Sequence, residues 1–218
     1  STPSNSSAAS DVYKRQSDAK YDYFVQNNRL EYYGNPWQYG AMNACFAKVD
    51  GLWYWGKTYG GGGIFRFAES DISPVDISRG TNPPYATIFP DEFVKSFVID
   101  ATNQILYAVI RDKGLYAVPL TDITANDATK TNTKAESKYL VASFKSDSEG
   151  SVGEYVDVCQ MVLDSTDGSV YFGLRAEEGS SETSGVKRWN PTTKKLETIV
   201  SGVNVYGIAL NNELSNLF

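Results

Sequence analysis

The 218-residue sequence contains no histidine. Within this stretch that excludes a Ser-His-Asp or Cys-His nucleophile and any histidine-ligated metal site. Cysteine is scarce too, with only Cys45 and Cys159. Both fall five residues before an acidic anchor of a repeat described below, in units that are not adjacent. Their Cα atoms are then expected to lie beyond the ~7 Å a disulfide can span, leaving two free thiols that act as small buried apolar groups. No run reaches the ~18 consecutive apolar residues of a membrane helix. Positive charge is in deficit, with 20 Lys and Arg against 26 Asp and Glu and a sequence pI near 4.8. A nucleic-acid-binding surface needs the opposite balance. No convincing long helical pattern occurs anywhere.

Aromatic residues are plentiful: 15 Tyr, 10 Phe and 4 Trp. They favour pleated, half-buried surfaces, and 41% apolar content suits one globular core. The stretch Asp157 to Pro191 reads as strand, Asp167-Gly168 turn, strand, polar loop and strand. The same phrase occurs at Ala47–Phe67 and Phe97–Val118, and begins again at Ile208-Ala-Leu-Asn211. Aligned on Asp50, Asp100, Asp164 and Asn211, the intervals are about 50, 64 and 47 residues, a blade-like period. Separately, Gly51–Gly56 matches Gly168–Gly173 without a gap, Tyr54 on Tyr171.

The pattern predicts an all-β fold. It is a partial β-propeller of about three to four four-stranded blades, a fragment of a larger propeller of about six to eight. Each blade covers a face its neighbour cannot hide alone. The long second interval is assigned to a mobile surface insertion, Thr121 to Lys138, and Asp71 to Pro90 to a blade-to-blade connection. Tyr21–Tyr33 reads as a hairpin around Asn27-Asn28, and Ser146–Gly153 as a polar loop.

Residues 6–16, Ser-Ser-Ala-Ala-Ser-Asp-Val-Tyr-Lys-Arg-Gln, resemble a translated sequencing adapter. Residues 1–16 are therefore expected to be a disordered, non-native scar, with the propeller occupying 17–218. The first residue is not Met and the last lies inside a repeat. The chain is expected to be a piece of a longer, environmentally sampled protein.

Chemistry-bearing motifs are few. Tyr59–Gly63 lacks the Lys-Ser/Thr of a phosphate loop and precedes a strand. Asp50, Asp100 and Asp164 are expected to cap turns rather than form a carboxylate cluster. Asp147–Gly150 and Asp164–Gly168 lack the alternating ligands and bidentate Glu of a calcium loop. No catalytic residue, metal site or cofactor is assigned. Ligands are expected at the central channel or its loop mouths. The candidates are the polar residues that enter each inner strand: Asn43, Lys95, Ser96, Asp157, Gln160, Asn204 and Tyr206. The alternative is that they satisfy one another and water. Trp37, beside Pro36, is the candidate stacking platform.

Three further pieces carry a family resemblance: Gln104-Ile-Leu-Tyr107, Gly114–Leu120, and Asp164-x-x-Asp-Gly-x-x-Tyr-Phe-Gly-Leu174 followed by Val186-Lys-Arg-Trp-Asn190. Over Ala86 to Asn212 the chain resembles the yellow/major royal jelly family of six-bladed propellers; NHL and gluconolactonase-like propellers stay open. Arg188 stands where that family has a Cys, so its disulfide pattern does not carry over. The resemblance implies a secreted protein with a small-molecule pocket and no family-wide catalysis. The expected function is thus a non-catalytic binding or scaffold propeller of an exported protein, extracellular or at the cell surface. Its partners would be a small molecule, a glycan or a protein, together with the remaining blades. The alternatives are a metal-dependent lactonase or hydrolase using channel carboxylates, for which Asp157 is nearly the sole local acid, and a carbohydrate-binding surface protein.

Overall fold

The computed structural model describes residues 46–57, 63–68, 70, 86–90, 92–111, 113–123, 132–143, 156–176 and 184–211. Among these there is no α-helix. The strands form three sheets, each built from consecutive antiparallel neighbours. The first contains β1 (Phe46–Val49), β2 (Leu52–Lys57), β3 (Gly63–Ala68) and β4 (Ala86–Ile88) in that spatial order. The second contains β5 (Val94–Asp100), β6 (Ile105–Ile110), β7 (Gly114–Pro119) and β9 (Leu140–Ser143). The third contains β10 (Val156–Leu163), β11 (Val170–Ala176), β12 (Gly185–Asn190) and β13 (Lys195–Ser201). A two-residue strand, β8 (Asn132–Thr133), adds to the first sheet parallel to β4.

The opening strands are neighbours, with β5 between β1 and β10. Val49, Ile99 and Leu163 therefore lie on adjacent innermost strands, and the fold is a partial β-propeller. Alternation along each strand gives each blade two apolar faces. Tyr54, Ile64 and Ile88 of the first sheet meet Phe97, Leu106, Ala108, Ile110 and Tyr116 of the second. Tyr107, Val109 and Leu115 on the other side of the second sheet meet Val158, Met161, Val170, Phe172, Leu174 and Trp189 of the third. The second sheet is thus buried on both faces, which is why Leu106–Ile110 can be continuously apolar.

The ladders correct the alignment on acidic residues. Asp100 pairs with Ile105 across a four-residue loop, and the Asp164 amide donates to the Ser169 carbonyl across another. In the first sheet Val49 pairs with Leu52, and Asp50-Gly51 form the two-residue turn itself. Both turn residues have positive φ, 51° and 76°, the type I′ geometry that Asp-Gly favours. Two loop residues fewer keep the faces in phase but place Val49, not Asp50, opposite Asp100 and Asp164 in the repeat. The gapless match is the one the ladder keeps: Tyr54, Tyr107 and Tyr171 pair with Ala47, Val98 and Val162, all on the same side of their sheets.

Two expected connections carry structure instead. Asp71 to Pro90 contains β4, whose three residues are all buried. Thr121 to Lys138 contains β8, and its ends bury Ile123 and Thr133. The Phe89 amide donates to the Thr133 carbonyl at 2.7 Å, so part of this excursion from the second sheet closes the outer edge of the first. Arg66, buried on β3, adds a second tie through Nη1 to the Ile123 carbonyl at 3.4 Å. The adapter-like residues 6–16, the Tyr21–Tyr33 hairpin and Ser146–Gly153 lie outside the described residues. So do Cys45 and the Cys159 side chain.

Candidate functional site

The inner strands hold the expected channel residues, and two of them share one role. In β5 the register shifts between Val94 and Ser96, and in β10 between Val158 and Gln160. These are matching β-bulges, with Lys95 and Cys159 as the extra residues. The residue after each bulge points forward, Ser96 to the next innermost strand and Gln160 to the irregular stretch that follows β13. Ser96 is buried, and its Oγ accepts the Met161 amide at 3.2 Å. Gln160 Oε1 accepts the Ile208 amide at 3.1 Å. Met161 and Ile208 each stand three residues before their anchors, Asp164 and Asn211, so this is one contact made twice. For Met161 it supplies a partner to an inner-strand amide that the sheet ladder leaves unpaired; Ile208 lies beyond β13, in no strand.

The remaining candidates are dispersed. Lys95 is half-buried at its bulge. Asp157 sits in β10 opposite Arg175, and its side chain lies outside the described residues. Asn204 is exposed. Tyr206 is 70% exposed, with the Arg175 guanidinium 5.6 Å from its ring centroid. Asn43 and Trp37 lie outside the described residues. Thus Ser96 and Gln160 are brought onto adjacent inner strands, Ser96 holding the strand that follows and Gln160 the segment at Ile208.

The acidic residues behave as turn caps where expected. Asp100 is buried and accepts the Asn103 amide at 2.9 Å and its side-chain amide at 2.7 Å. Asp164 Oδ1 accepts the Thr166 amide at 2.9 Å. Asp50, standing inside its turn, instead accepts Gln104 Nε2 of the next blade at 3.1 Å. Among the described residues no three or more His, Cys, Asp or Glu side chains are grouped as metal ligands. No helix among them is long and apolar enough to cross a membrane.

Two cations went unrecognised in the sequence. Lys187 is 7% exposed; it pairs with Phe172 and Thr198 in the ladder, and its Nζ donates to Thr198 Oγ1 at 2.7 Å. Burial alone holds its pKa below the ordinary lysine value. Arg188, on the opposite face, ion-pairs with Asp167 at 2.6 Å and Glu197 at 3.5 Å, and its Nε donates to Ser169 Oγ at 3.0 Å. Its guanidinium lies 5.7 Å from the Tyr171 ring centroid. Burial pushes the Asp167 carboxyl up, but the Ser169 amide and hydroxyl and the Arg188 guanidinium together outweigh it and hold the carboxyl below its ordinary value. The signal was available: strand alternation sends one of two consecutive cations before Trp189 inward.

No protein-family profile matches the chain, and neither does any curated protein sequence. Solved structures do. A quinonprotein alcohol dehydrogenase-like protein from Bacteroides thetaiotaomicron is 17% identical over 66% of this chain and 30% of its own, with a TM-score of 0.37. The GH74 enzyme of Niastella koreensis is 11% identical over 73% and 21%, with a TM-score of 0.43. The extracellular domain of a candidate one-component system from Bacteroides thetaiotaomicron is 10% identical over 72% and 25%, with a TM-score of 0.33. The chain spans between about a fifth and a third of the length of these proteins.

Proposed function

We propose that the chain is part of a non-catalytic binding or scaffold propeller of an exported protein. Its ligand would be held at the channel or its loop mouths by Lys95, Asp157, Asn204 and Tyr206, together with Asn43. The observation that carries this reading is the repeated contact of Ser96 and Gln160 with a backbone amide further along the chain, Met161 in β10 and Ile208 beyond β13. Polar groups near the axis serve blade-to-blade cohesion, so recognition falls to the residues around them. The resemblance to yellow/major royal jelly propellers supports export and a small-molecule pocket. The test is thermal-shift titration of the whole chain with monosaccharides, aromatic amines and small carboxylic acids, beside lactone and ester hydrolysis with and without calcium. A saturable shift with one class, lost in Lys95→Ala, without turnover, is the expected result. Calcium-dependent hydrolysis would replace this reading with the lactonase one.

One observation favours the carbohydrate reading as a second. Tyr206 presents its ring to solvent beside Arg175, the form of a sugar-stacking platform. Saturable oligosaccharide binding lost in both Tyr206→Ala and Trp37→Ala would support it, and binding indifferent to both would remove it.

A further inference from the structure

The first sheet is buried on a side that neither of the other two sheets reaches. Strand alternation sends Tyr54 and Ile64 into the seam with the second sheet and turns Trp53, Trp55, Phe65 and Phe67 to the opposite, rear side. Trp55 is 1% and Phe67 3% exposed, yet neither belongs to either apolar seam among the described residues. The burial is also uneven. In the row Lys48–Trp53–Phe67, which runs outward from β1 through β2 to β3, Lys48 is exposed, Trp53 half-buried and Phe67 buried. The cover therefore lies over the outer strands and leaves the innermost one open.

We propose that the occupant of this rear face is the chain's own segment Tyr21–Tyr33, docked there as a hairpin that stands for the outer half of a preceding blade. The proposal rests on the propeller reading of the fold and not on any ligand. Spacing, pattern and size select this segment. Phe46, which opens β1, follows Tyr33 by 13 residues, and Val156, which opens β10, follows Ser143 at the end of β9 by the same 13. The segment thus ends where the outermost strand of a blade before β1 would end. A two-residue turn at Asn27-Asn28 sets Val25 opposite Leu30 and Tyr23 opposite Tyr32. These four share one face, while Gln26, Arg29 and Glu31 take the other beside Phe24. A face of that composition needs an apolar partner, and Trp55 with Phe67 supplies one. Two strands about 4.8 Å apart span only half the width of a four-stranded sheet. A hairpin over β2 and β3 accordingly buries Phe67 and leaves Lys48 open, whereas a complete four-stranded blade would lie over β1 as well.

The experiment is acrylamide quenching of tryptophan fluorescence in the whole chain carrying Trp37→Phe, which leaves Trp53, Trp55 and Trp189. Leu30→Lys and Val25→Lys should each roughly double the quenching, because two of the three remaining tryptophans lose their cover by local opening. Gln26→Lys, on the other side of the hairpin, should leave it unchanged. Circular dichroism melts check that each variant folds. Should the lysine variants fail to, urea unfolding of Leu30→Ala, Phe67→Ala and the double variant gives a second reading: residues in contact lose less together than the sum of their separate losses. Quenching indifferent to both lysine variants overturns the docking, and so do additive losses in the alanine cycle. Quenching that falls as protein concentration rises would assign the face to a second copy and overturn it too. If the docking fails while a ligand-induced thermal shift persists, this contact falls and the binding reading stands.

Discussion

Lys187 shows how one side chain sets a local energy against the fold. It lies among apolar neighbours in the seam between the second and third sheets, where Tyr116 occupies the corresponding ladder position one blade earlier. An ammonium in that setting loses hydration and recovers one hydrogen bond to Thr198. Its pKa in the folded state is depressed, while the unfolded chain keeps the ordinary value near 10.5. The unfolded state therefore binds more protons between the two values, and stability rises with pH across that window. The penalty is present in full below the folded pKa and disappears as pH climbs through it towards 10.5. Lys187→Met is expected to stabilise the chain by about 1 kcal/mol at neutral pH. It should also flatten the rise in stability as pH climbs towards 10.5, as measured by urea unfolding. Equal slopes for the two proteins would show that Lys187 is not the group responsible.

At the level of the strand, the bulge and the residue after it work as a unit. The bulge turns Ser96 and Gln160 to the same side of successive inner strands, and each then accepts a backbone amide from further along the chain, Met161 in β10 and Ile208 beyond β13. Ser96→Ala leaves the Met161 amide without this partner in a buried seam, at an expected cost of about 1–2 kcal/mol. Gln160→Ala, at an exposed position, should cost less than half of that. Chemical unfolding of both variants checks the order, and a larger loss for Gln160→Ala would reverse the assignment. Much of this scale was legible in the residues. Apolar runs such as Phe97-Val-Ile and Met161-Val-Leu marked inner strands because burial on both faces removes alternation. Polar residues at their entry were recognisable, but the bulge that aims them was not, since one extra residue leaves no compositional trace. Asp50 misled for a similar reason: an acidic residue suits both a two-residue turn and the strand end before a longer loop. Asn132–Thr133 escaped notice because two polar residues carry no period, and their pairing depends on an edge contributed by another sheet.

For the whole molecule the central sheet is the keystone. It shares one apolar seam with the first sheet and another with the third. It is also tied to the first by the excursion that carries β8 and to the third by Ser96. Among the described residues nothing comparable holds the outer edge of the third sheet, where β13 borders only β12 and its final residues are exposed. Opening free energy should therefore be graded rather than uniform. Amides of β6, hydrogen-bonded to strands on both sides and buried from Leu106 to Ile110, need loss of both seams to exchange. Amides of β13 need only fraying of one edge. Hydrogen exchange should find β6 slower than β13 by roughly a hundredfold or more. Protection equal in β6 and β13 would mean that the three sheets open together, and the picture of a doubly buried centre with a loosely held outer blade would be wrong.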